Sequence, residues 1–415
     1  MRYQKALIVL VTLIIISFTN KSDCSNIVTK KPASIKTDKI IILENVPYIS
    51  QLGRLDCGFA SRAMLLEYFK NNFDSIAYPK SMYECASPYS FVYSPNQLIL
   101  PYGGWYDNEY EWLAYLYGLT YKRIMPVKAS NKEDAWNEYL KRIWGYLRGG
   151  IPVQTAISWP GAKEVKGKLY ILSEFRPFWW EGITKKYRPQ MHQVVIVGLD
   201  KSKGVIYIND PWGWLGRGKY MEMDLSFFRK VVEKVPLRIR YYTRVFQRSK
   251  GMPLEEGLKE ELIRQRIEKE LRGDPRVYDK PAPRYLYGLQ GLKAFKKDLE
   301  TGAFVKILKK RMQMQKISPL EVILFLNLGL YQQSFKASIA AEYLAVVDDI
   351  PGFKRVSNLH ALYEKLYSSN EELVSVFKSF PDIELGLEKS ELILKGMRKT
   401  IDELIGLAQT YLTKQ

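Results

Sequence analysis

Residues 191–214 read MHQVVIVGLDKSKGVIYINDPWGW. Two apolar runs flank the turn-rich stretch LDKSKG, which is the pattern of a β-hairpin. Folding about Lys201 would set Val194 opposite Ile208, Ile196 opposite Ile206 and His192 opposite Asp210. Directly opposed residues hold their Cβ atoms about 4.5–5.5 Å apart. Asp210 can then accept a hydrogen bond from the His192 ring and fix its tautomer. Pro211 ends the second strand, because it has no amide to donate to a ladder.

A second stretch, VPYISQLGRLDCGFASRAMLLEYF from Val46 to Phe69, holds one of only three cysteines. Phe59, Ala60, Ala63, Met64, Leu66 and Phe69 recur with helical spacing. Asp56 is a good N-cap residue, so Cys57 falls in the first turn. The helix dipole and the unbonded amides there favour a thiolate. Gly58 removes a side chain where a substrate backbone would approach. Gln51, six residues before Cys57, can donate its amide to an oxyanion together with a backbone amide at the helix start.

A lone cysteine is more often packing than chemistry. The combination reads differently, with Cys57 as nucleophile, His192 as base, Asp210 as the group that orients it and Gln51 at the oxyanion hole. The only other histidine, His360, lies in NLHALYEKLY, a helical context that reads as packing or surface. Three cysteines do not make a disulfide scaffold. Cys24 and Cys85 can pair, which leaves Cys57 as the odd thiol.

Taken together, the two windows resemble the papain-like cysteine peptidases related to the bacteriocin-processing (double-glycine leader) peptidases. That pattern runs Gln, then Asp-Cys-Gly opening a helix, then a His starting one strand and Asp-Pro ending the next. The resemblance implies that Gln51 shapes the oxyanion hole, Cys57 attacks, His192 shuttles the proton and Asp210 orients it. It implies an α+β papain-like domain, with the cysteine on an N-terminal helix and the histidine and aspartate on an antiparallel sheet. Phe59 stands where many relatives carry Pro or a small residue, which alters the expected pocket floor. No transporter membrane segment or ATP-binding motif follows, so the expectation is not the peptidase unit of an ABC exporter. A Cys-His-Asp fold followed by a helical domain, here one that carries YLYGLQGLKAFKKDLETG, also resembles an acyltransferase of aminoglycoside (butirosin-type) biosynthesis.

Four segments are expected along the 415 residues. Residues 1–25 carry Arg2 and Lys5 before an apolar run from Ala6 to Phe18, too short for an ordinary membrane-spanning helix. They read as a signal peptide or N-terminal anchor. Residues 26–39 are a polar, lysine-rich linker. Residues 40–248 form the peptidase domain, with a helix over Asn131–Leu147 that sets Ala135, Tyr139, Ile143 and Tyr146 near one face. Its strand candidates are Pro152–Ser158, Leu169–Ser173, Gln193–Leu199, Gly204–Asn209 and Arg238–Phe246. Residues 249–415 are charged and helically patterned, and read as an all-α domain. The order of helices and strands gives an α+β class.

The net charge of +19 favours anionic surfaces or membranes as contacts. No zinc-finger spacing or RNA-binding aromatic signature accompanies it, so no nucleic acid is expected. Two histidines and no acidic cluster leave no metal spacing, and no cofactor is expected. LRGG (Leu147–Gly150) and GRGK (Gly216–Lys219) lack the strand–loop–helix frame of a phosphate loop. Trp179, Trp180, Trp212 and Trp214 are cleft candidates, with core packing as the alternative. The expected activity is cleavage of a peptide or amide bond through a Cys57 thioester. The expected setting is extracellular, or anchored to the outer face of the cytoplasmic membrane. An acyltransferase with the same triad, or a non-catalytic module that binds peptides or wall polymers, are the alternatives.

Overall fold

The two apolar runs do form a hairpin, within a computed structural model that describes residues 35–52, 56–70, 76–89, 91–95, 99–102, 107–125, 131–159, 190–212, 218–235, 240–249, 251–273 and 286–413. In chain order the elements are β1 (Ile35–Lys36), β2 (Ile40–Ile42), α1 (Cys57–Phe69), α2 (Ala77–Glu84), a 3-10 turn (Ser87–Tyr89), β3 (Val92–Ser94), β4 (Ile99–Tyr102), α3 (Asp107–Leu116), β5 (Leu119–Ile124), α4 (Lys132–Arg148), β6 (Val153–Trp159), β7 (Gln190–Asp200), β8 (Val205–Asn209), β9 (Met221–Asp224), α5 (Leu225–Glu233) and β10 (Thr243–Arg248). There follow α6 (Glu256–Arg272), β11 (Leu286–Tyr287), α7 (Gly288–Glu300), α8 (Ala303–Gln315), α9 (Pro319–Val346), α10 (Ile350–Ser379), α11 (Ile383–Lys389) and α12 (Glu391–Thr413). The expected signal segment and the candidate strand Leu169–Ser173 lie outside the described residues, as does the linker up to 34.

One antiparallel sheet runs β1-β2-β7-β6-β10-β5, with β8 on β7 and β9 on β8. β7 is its spine. Every residue from His192 to Asp200 is buried, which is why this strand reads as a continuous apolar run rather than an alternation. The expected strand at Arg238–Phe246 is shorter and later, at Thr243–Arg248.

The hairpin register differs from a fold about Lys201. The pairs are Asp200↔Val205, Leu199↔Ile206 and Gly198↔Tyr207 near the turn, then Ile196↔Ile208 and Val195↔Asn209 beyond a bulge. Two local causes account for the shift. Asp200 Oδ1 accepts from Ser202 N, Ser202 Oγ and Lys203 N, an Asx-type turn that centres the loop later. Gly204 closes it at φ +64°, where a side chain would be strained. The bulge adds a residue to β7. Continued one pair further, this register puts Val194 opposite Asp210, so His192 is a diagonal neighbour of Asp210 on the same face. Diagonal neighbours stay within reach of long side chains.

α4 forms as expected, with the Asn131 side chain accepting from Asp134 N at its start. Its buried face is Trp136, Tyr139, Ile143 and Leu147. Ala135 and Tyr146 are only half-buried, because Trp136 turns the stripe toward Phe228 and Tyr241.

The C-terminal segment is not wholly helical. β11 pairs with β3 and forms a small sheet β11-β3-β4. Gly288, at the start of α7, donates to Phe91 O at 2.8 Å. Its φ is +49°, and a Cβ there would lie 1.9 Å from Glu270 O. The LYGLQG stretch from Leu286 is thus a joint where α6, α7 and β3 meet at backbone distance. We expect Gly288→Ala to cost at least ~2 kcal/mol, from the left-handed backbone and the carbonyl clash together. Urea unfolding of the full-length chain checks this, and an unchanged midpoint would count against it.

α9 is capped by a Ser318/Glu321 capping box with Pro319 at its first position. It packs along α10 and against α2. Among the described residues no helix is long and apolar enough to cross a membrane.

Candidate active site

Cys57 is the first residue of α1 and is buried. Asp56 stands at the N-cap position, but its side chain does not cap the helix. Its Oδ2 instead accepts from Leu52 N at 2.9 Å and from Tyr78 OH at 2.5 Å. This corrects the expectation of a side-chain cap. The carboxylate ties the incoming loop to the helix start and to α2.

His192 Nε2 and Asp210 Oδ1 are 2.6 Å apart, with both side chains buried. The same Oδ1 accepts from Trp212 N at 2.9 Å, and Tyr48 OH donates to Asp210 O at 3.0 Å. Trp212 stands edge-on to the imidazole, with ring centres 6.4 Å apart. Cys57 is the other group that acts on the ring, and its charge favours the protonated imidazole. Burial alone would lower the His192 pKa, but the Asp210 and Cys57 charges, with the hydrogen bond to Asp210, push it up to about 10.

Gln51 arrives at the same place. Its backbone amide donates to Pro211 O at 2.8 Å, which seats the 46–52 segment against the Asp210–Pro211 turn. Asn209 and Tyr220 brace that seat. Asn209 Oδ1 accepts from Tyr220 N, and Tyr220 OH donates to Leu43 O. The structure pairs His192 with Asp210 and seats the Gln51 backbone on the adjoining turn, while the charge of Cys57, at the start of α1, acts on His192.

Two further contacts hold α1 against the sheet. Ser61 Oγ donates to Gln193 O at 3.2 Å, and Gln154 Nε2 donates to Gly58 O. Each links a neighbour of Cys57 to the strands around His192. Ser61, Gln154, Tyr78 and Tyr48 were missed by sequence reasoning. Only Ser61 had a signal, since it lies one helical turn after Cys57.

The comparison that bears on this geometry covers the segment that carries it. Residues 43–237 match the Peptidase_C39 like family. Over this segment, just under half of the 415 residues, the chain is similar to that family. No curated protein matches the chain. The Peptidase_C39-like segment includes Gln51, Cys57, His192 and Asp210, and ends before α6.

The remaining candidates fall outside this constellation. Cys85 is a free, buried thiol whose pKa burial pushes up to about 12. Cys24 lies outside the described residues, as do Trp179, Trp180 and Trp214. Leu147–Gly150 merely ends α4, and GRGK is described only from Gly218 onward. His360 Nδ1 lies 3.0 Å from Ser334 O, while Ser334 Oγ donates to Glu364 at 2.6 Å. The carboxylate holds the serine rather than the histidine, so these three residues pack α9 on α10. Among the described residues no cluster of three or more His, Cys, Asp or Glu could hold a metal ion. Phe59, expected at a pocket floor, is buried in an apolar cluster with Ile339 of α9.

Proposed function

We propose that this protein is a cysteine peptidase or amidase that cleaves a peptide or amide bond through a thioester on Cys57. The observation that carries the reading is the buried His192–Asp210 pair, 2.6 Å apart, with Cys57 at the start of α1 among the charges that raise the His192 pKa. A histidine with a raised pKa beside a thiol favours a thiolate–imidazolium pair, which is an activated nucleophile. Cys57 Sγ attacks the substrate carbonyl and His192 gives its proton to the leaving amine. Water then attacks the thioester, with His192 taking the water's proton. The Gln51 amide and a backbone amide at the start of α1 would stabilise the oxyanion.

The Gln, Asp-Cys-Gly and His…Asp-Pro pattern favours the bacteriocin-processing branch of such peptidases. The apolar run after Arg2 and Lys5 favours action outside the cytoplasmic membrane.

The test is selective alkylation. At about pH 6–7 an unperturbed thiol is mostly protonated, so iodoacetamide should label Cys57 far faster than a free thiol. His192→Ala should remove that advantage. Equal labelling in both proteins would sink the reading. A pH dependence follows from the sign of the His192 shift. Its charged form is favoured, so the proton stays on the ring to higher pH and remains available to the leaving amine. Turnover should therefore fall on the alkaline side only near pH 10, the value to which His192 is raised. An alkaline limb near the ordinary imidazole value of about 6.5 would contradict it.

A further inference from the structure

The C-terminal helical segment lies outside the Peptidase_C39-like match, yet it packs directly on the helix that opens with Cys57. Ile339 of α9 joins Phe59, Ala63, Tyr78 and Met82 in one apolar cluster. Nearly one turn earlier on α9, Lys336 is fully buried, with Nζ 5.3 Å from the centre of the Phe59 ring. The Arg62 guanidinium lies 5.1 Å from the same ring. The Phe59 ring thus meets one cation from its own helix and one from α9.

Packing alone does not explain a lysine there. A buried ammonium carries a desolvation penalty of several kcal/mol, and an apolar side chain of similar volume would fill the space without it. The surrounding charges are Glu109, Arg62 and Glu270, from α3, α1 and α6, with Cys85 beside them. The Glu109 and Glu270 carboxylates also act on Lys336. Its contact with the Phe59 ring is what ties it to the helical turn that holds Cys57. A desolvated cation–π contact is the strong form of that interaction.

We propose that Lys336 is a positioning residue for Cys57: its ammonium, seated against the Phe59 ring, fixes the first turn of α1 so that the sulfur stays in register with His192. This rests on the reading of Cys57 and His192 as nucleophile and base. Phe59 is two residues from Cys57, so a shift of its ring moves the sulfur. A misplacement of about 1 Å is enough to cost ~100-fold in a reaction that depends on aligned groups.

The test uses the full-length chain and follows iodoacetamide alkylation of Cys57 over about pH 5–9, with thermal unfolding measured alongside. Lys336→Met should slow labelling near pH 6 about ten-fold and raise the labelling midpoint by about one pH unit. Lys336→Arg should recover most of the loss, because a guanidinium also sits on aromatic faces. Phe59→Leu, which keeps bulk and removes the ring, should reproduce the shift. The double variant Phe59→Leu/Lys336→Met should be no worse than either single one, since both remove the same contact. A purely structural role would lower the unfolding temperature and leave the midpoint of the folded protein where it was; that result overturns the proposal. If Lys336→Met fails to fold, Phe59→Leu carries the same test, and an unshifted midpoint there also overturns it. If wild-type Cys57 labels no faster than a free thiol and His192→Ala changes nothing, the catalytic reading has failed and this proposal falls with it.

Discussion

Cys57→Ala should lower turnover by ~1,000-fold or more while leaving the fold intact. The size follows from the chemistry, because without the sulfur there is no thioester and only binding and oxyanion stabilisation remain. No other cysteine of the described residues can take over. Cys85 is buried, and its pKa is pushed up to about 12 by that burial, so it stays a thiol at neutral pH. The variant has a second signature. Cys57 is one of the groups that raises the His192 pKa, so the imidazole of Cys57→Ala should titrate at lower pH than in the wild type. Histidine NMR shifts read this without any substrate. Turnover near wild type would mean that the nucleophile lies elsewhere. An unmoved His192 titration would mean that the thiol and the ring do not interact.

Glu109→Ala should destabilise the chain by ~3–5 kcal/mol, the usual cost of leaving a buried charge without its partner. Arg62 is fully buried in α1, and its Nη1 lies 2.5 Å from Glu109 Oε2. The carboxylate also faces Lys336, so its removal leaves two buried cations facing each other. The double substitution Arg62→Met/Glu109→Leu should cost much less than Glu109→Ala, because it removes the charge and the penalty together. Urea unfolding of the three proteins distinguishes the cases. If Glu109→Ala is no less stable than the double variant, the pair is not holding α1 against α3.

The parts of the fold legible in the sequence are those written in local patterns. The helix after Cys57, the apolar hairpin and the Asn131-capped helix all follow from spacing and turn chemistry within about 25 residues. So does the His192–Asp210 contact, although not by the route expected. The expected fold about Lys201 opposed the two residues directly, whereas the Asx turn at Asp200 and the bulge near Gly198 make them diagonal neighbours. The contact survived because both registers keep the two side chains on one face. Long-range contacts were illegible. Asp56 looks like a cap because Asp commonly caps helices, yet Tyr78 and Leu52 draw its carboxylate away. Phe59 looked like a pocket residue because nothing near it announces that Ile339 and Lys336 will cover it. A two-residue strand such as β11 carries too little pattern to be seen at all.

That short strand bears on the order in which the chain can mature. β3 sits early in the sequence, and its partner β11 is made long afterwards. Tyr93 of β3 also donates to Asp298, 205 positions later. Contacts of such sequence separation form late, since the loop between them must close first. During synthesis, β3 therefore leaves the ribosome with an unpaired edge, and the Phe59 side of α1 emerges before α9 exists to cover it. The nascent segment up to residue 237 holds every candidate site residue but lacks α9, which lays Ile339 and Lys336 against Phe59. The Phe59 face of α1 therefore stays uncovered until most of the chain has been translated.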